Sequence, residues 1–195
     1  MARSANRTQA APSDGVRLWF PGYGPIAGII GYVVFFLVID AIKPAIVTTV
    51  TDLFTSVSPS QVGTMLAVFL WFIFGLTVFG ITHDQLRKNP YEFTNRYELQ
   101  VFIEEHRLPP LGYVLYTTLA VLGGIISLAL WPSFIEVFSE FVLILSGEVS
   151  GVADTVTARD ALTFVGFFLA FGAFSHGIDR LIIGGIRELI VRRSM

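Results

Sequence analysis

Cysteine is absent from the 195 residues, which removes disulfides, thiolate nucleophiles, iron–sulfur clusters and Cys-based zinc sites at once. Charge is scarce too: Asp, Glu, Lys and Arg make up 14% of the chain, against about a quarter in ordinary soluble domains. Histidine occurs only at His83, His106 and His176, in three separate segments, so neither a histidine-rich metal centre nor a paired haem ligation is expected. Walker A, dinucleotide and G-x-S-x-G fingerprints are missing. Ser175 precedes His176, but neighbouring helical residues point about 100° apart, so the two do not make a dyad. No basic run is interleaved with aromatics as a nucleic-acid track would require. These absences together predict no catalytic residues, no metal, no cofactor and no nucleic-acid partner.

What remains is apolar. Hydrophobic residues form 53% of the chain, 18 of them phenylalanine, and the net charge is only −2. The charges cluster, leaving long runs with none, which is the mark of helices surrounded by lipid and not by a folded core. The expected fold is all-α, a single polytopic membrane domain over 1–195 with about four transmembrane helices. Spans are expected at residues 25–43, 62–82, 111–131 and 161–186. Crossing about 30 Å of hydrocarbon at 1.5 Å per residue takes roughly 20 residues. The first span meets this only with Asp40 and Lys43 at headgroup level.

Basic residues orient the bundle. Arg3, Arg7 and Arg17 precede the first span; Arg87, Lys88, Arg96 and Arg107 separate the second from the third; Arg187, Arg192 and Arg193 follow the core of the fourth. The other two connections hold Lys43 and Arg159 among six acids. The positive-inside rule then puts both termini in the cytoplasm. Without an organelle-type presequence, the expected location is a prokaryotic plasma membrane.

Residues 133–146 carry Glu136 and Glu140 one turn apart and read as an outer amphipathic helix lying on the membrane. Residues 95–107, with Asn95 and Glu98 in capping positions, read as an inner interfacial helix ending before Pro109-Pro110. Trp19, Phe20, Tyr113 and Trp131 are placed for an aromatic belt. Pro44 and Pro132 each follow a span and precede a semi-apolar segment, a weak hint of an internal repeat.

The fourth span carries the clearest pattern. Gly166, Ala170, Ala173, Gly177 and Gly184 share a narrow arc, and five phenylalanines from Phe164 to Phe174 are expected on the opposite one. Small faces let backbones approach, which drives helix association in lipid. Ala120, Gly124 and Ser127 form a similar face in the third span. Either packing within the chain or oligomerisation would use these faces.

Ionisable groups inside a span are costly and point to function by default. His176, Asp179, Arg180 and Asp40 are thus candidates for an ion or proton path. Interfacial anchoring is the plainer reading, with Arg180 reaching headgroups beside Asp179 as its counter-charge. The expected function is a non-catalytic membrane protein acting by association, as a homo-oligomer or with other membrane subunits. The alternative is a small ion or proton channel or transporter.

Overall fold

A computed structural model describes residues 16–88, 90–93, 96–145 and 157–194. In chain order these form strand β1 (Val16–Leu18), helices α1 (Pro25–Leu53) and α2 (Pro59–Leu86), strand β2 (Tyr91–Phe93), and helices α3 (Arg96–His106), α4 (Pro110–Leu145) and α5 (Ala158–Ser194). Among the described residues the protein is all-helical apart from the two short strands, and α1, α2, α4 and α5 are each long and apolar enough to cross a membrane. At 1.5 Å per residue, α4 and α5 each reach about 55 Å, well beyond the hydrocarbon thickness.

Local chemistry explains where the helices start. Pro25, Pro59 and Pro110 each sit at a helix start, where the missing N–H would have had no partner. Ser58 and Gln61 close a capping box at the head of α2. Thr157 and Asp160 exchange backbone and side-chain hydrogen bonds at the head of α5 in the same way.

Two expectations are corrected here. The helix of the first span does not stop before Pro44: α1 runs through it to Leu53. Nor is 133–146 a separate helix lying on the membrane. Its described part continues α4 through Pro132 to Leu145. Proline removes one hydrogen bond and bends a helix, but lipid-embedded helices tolerate it where packing holds both sides. Here Phe134, 1% exposed, stacks on Phe167 of α5 with centroids 4.0 Å apart, two residues beyond the proline. Beside the helices, β1 and β2 pair antiparallel, Arg17 opposite Glu92, a short ribbon in an otherwise all-helical fold. The cap expected at Asn95 lies outside the described residues.

The hydrophobic core is small and lies between α1, α4 and α5. Val38, Phe134 and Phe167 are its buried centre, with Leu130, Trp131 and Phe171 packed around them. The closest pairing is α4 with α5, while α2 packs chiefly on α1. Along the α4–α5 seam the backbones touch. A Cβ on Gly177 would lie 2.7 Å from the Tyr116 carbonyl oxygen, and one on Gly123 would lie 2.6 Å from that of Ala170. Ala120 is buried in this seam, Gly124 faces the Phe174 ring, Gly184 faces Leu108, and Gly166 reaches Leu130. Ser127 is also buried and donates its hydroxyl to the Gly123 carbonyl at 2.7 Å. The small faces of the third and fourth spans therefore meet within one chain.

The phenylalanines do not form an opposite wall. Phe167 and Phe174 lie only about 60–80° round the helix from Gly177, at 100° per residue, and so border the seam. Phe167 is 2% exposed, whereas Phe168, diametrically placed, is 49% exposed.

Candidate functional site

The richest polar cluster is assembled where α1 and α4 begin and α2 ends, around the segment Phe20-Pro21-Gly22-Tyr23-Gly24. Gly24 precedes α1 with φ at +118°, a conformation that suits glycine and not L side chains. Having no side chain, Gly24 cannot cap the helix it starts, and Pro25 has no N–H. The free N–H groups of Gly24, Ile26 and Ala27 need an acceptor from elsewhere.

Asp179 of α5 supplies it. Its Oδ2 accepts from Gly24 N at 2.7 Å, and its Oδ1 from Ile26 N at 3.0 Å and Ala27 N at 3.4 Å. The residue is 2% exposed. A buried carboxylate is tolerable when hydrogen bonds fill its lone pairs, and a negative charge at a helix N-terminus also meets the positive end of the helix dipole.

Other contacts tie down the rest of the segment. Gln85 of α2 accepts from Gly22 N at 2.9 Å and donates to Gly22 O at 3.4 Å. Arg187 of α5 donates from Nε and Nη2 to the Pro21 carbonyl at 2.9 and 2.7 Å. The Tyr23 ring carries two guanidinium groups, Arg180 at 3.9 Å and Arg187 at 4.2 Å from its centroid. The Tyr116 ring lies 5.9 Å from Arg180, whose buried Nε has no acceptor. Cation–π stacking contributes about 0.5–2 kcal/mol per pair, more where water is excluded.

Three carboxylates near this cluster are committed elsewhere. Glu92 pairs with Arg17, Glu188 with Arg107 and Arg192, and Asp179 with backbone. Among the described residues none forms an ion pair with Lys88, Arg180 or Arg187. These three cations are thus left without a paired carboxylate among the described residues.

The candidate path residues do not converge. Asp179 and Arg180 share the cluster, but His176 is exposed and meets Tyr116 edge-on at 5.7 Å. His83 is also exposed, stacked on Phe79. Asp40 lies thirteen residues along α1 from Ala27, about 20 Å away. It is exposed and, with Lys43, lines an open cleft of about 530 Å³ between α1 and α2, which also includes Tyr32 and Trp71. Sequence reasoning missed Tyr23 and Gln85 and counted Arg187 only as an orienting charge. The available signal was Gly24-Pro25, a helix start that cannot cap itself.

The chain matches no family model, no curated protein and no solved structure.

Proposed function

We propose that this chain is a non-catalytic membrane protein that acts by association, as a homo-oligomer or an accessory subunit of a membrane complex, with both termini cytoplasmic. The observation that carries the reading is the α1–α2 cleft, which leaves Asp40 and Lys43 uncovered along helices whose only other Asp, Glu, Lys or Arg residues, Asp52 and Asp84, lie within three residues of their C-terminal ends. Charged groups near hydrocarbon cost several kcal/mol unless covered by protein, reached by water, or drawn to the headgroups. A neighbouring subunit seated on α2 would provide that cover. The outer faces of α2 carry exposed Met65, Val68, Trp71, Phe72 and Phe79, a broad surface for such a contact. Asp179 acting as a cap, with His176 outside the cluster, favours association over an ion path through one subunit.

Mass measurement in mild detergent tests the reading. The expected result is an oligomer or a stoichiometric complex with co-purifying subunits. Ala67→Trp, which fills the cleft, should release monomers of unchanged helix content. A lone monomer for the unmodified protein overturns the proposal.

A further inference from the structure

We propose that a second cleft, at the end of the bundle where α1 begins, binds a phosphate-bearing anion at headgroup level. This cleft has a volume of about 510 Å³ and draws on four parts of the chain. Lys88 comes from beyond α2, Arg187 from α5 and His106 from the end of α3, while Phe20, Tyr91 and Phe102 form aromatic walls. No carboxylate lines it.

Three observations converge on an anionic ligand. Lys88 and Arg187, like Arg87, Arg180 and Arg193 at the same end of the molecule, have no ion-pair partner among the described residues, and of these five cations only Lys88 and Arg187 line this cleft. Lys88 also lies close: its ammonium group occupies the space that a Cβ at position 22 would take, so with glycine there the charge sits directly over the segment. Arg187 is held from behind, since its Nε and Nη2 are fixed on the Pro21 carbonyl and its plane lies by Tyr23. That leaves Nη1 of a pre-positioned guanidinium for an outside acceptor. A fixed guanidinium beside a mobile ammonium suits a phosphate group.

The level of the cleft narrows the ligand further. It sits where α1 and α4 begin, beside Trp19, which is 45% exposed, as expected for an aromatic at a membrane interface. Phosphates of anionic lipids lie at this depth, and an aromatic wall accommodates the glycerol portion. A soluble phosphate ester arriving from the aqueous side offers the same chemistry, and experiment separates the two sources.

The purified full chain would be titrated in neutral-detergent micelles with phosphatidylglycerol, with phosphatidylcholine, and with inorganic phosphate, following binding by native mass spectrometry and by thermal shift. Saturable binding of phosphatidylglycerol over phosphatidylcholine supports the headgroup source. Saturable binding of inorganic phosphate of similar strength supports the soluble source. In either case Lys88→Gln should weaken binding about fivefold, the usual effect of one basic residue near an anionic surface. Arg193→Gln, an exposed basic change outside the cleft, should have far less effect. Equal losses from the two variants would show a general surface charge and overturn the site, as would saturable binding of neither probe. Lys88 is exposed and unpaired, so its replacement leaves folding intact; a melting temperature equal to the parent's without ligand verifies this.

Discussion

A carboxylate withdrawn from water costs several kcal/mol unless its lone pairs are filled. Asp179 fills them with three N–H groups from a helix that begins about 150 residues earlier in the chain. Asp179→Ala should therefore lower stability by about 1–3 kcal/mol, the range for stranding buried donors. Asp179→Asn, which keeps one acceptor oxygen but turns a donor NH2 toward the remaining N–H, should recover only part of that. Unfolding in mixed micelles measures both, and an alanine variant as stable as the parent would remove the capping role. Local spacing in the sequence suggested Asp179 as the counter-charge of Arg180. The structure sends the two to different partners, the α1 backbone and the Tyr23 ring, because sequence proximity says nothing about groups brought together over such a separation.

At the scale of helices, glycine separates contact from exposure. Gly123 and Gly177 lie where backbones touch, while a Cβ at Gly172 would meet nothing within 4 Å. Gly123→Ala and Gly177→Ala should each destabilise by about 1–3 kcal/mol through overpacking. Gly172→Ala should be neutral or stabilising by up to about 1 kcal/mol, from better helix propensity. Similar losses at all three positions would mean that the seam is misplaced. The spans themselves were legible because a charge-free stretch of roughly 20 residues needs no knowledge of its neighbours. Their ends were not. Pro44 and Pro132 look like stops by local rules, yet both helices continue, and for α4 the reason is a contact between Phe134 and Phe167 that no local pattern reveals. The small-residue stripe was readable as a contact face, but which helix it meets depends on tertiary structure.

Over the whole molecule, α4 and α5 form a tight pair, α1 bridges it, and α2 stands outermost. The orientation of this arrangement can be tested directly, since the chain has no cysteine of its own. With an impermeant maleimide on intact cells, Ser56→Cys in the α1–α2 connection should label, and Glu105→Cys at the end of α3 should label only after permeabilisation. The reverse pattern would invert the topology. The Asp179 bond also has a consequence for biosynthesis. The ribosome delivers α1 long before α5, so a nascent chain stopped short of residue 179 carries a first helix whose leading turn has no acceptor. That turn is finished only when the last helix docks, so the assembly of this protein closes at the same place where it started.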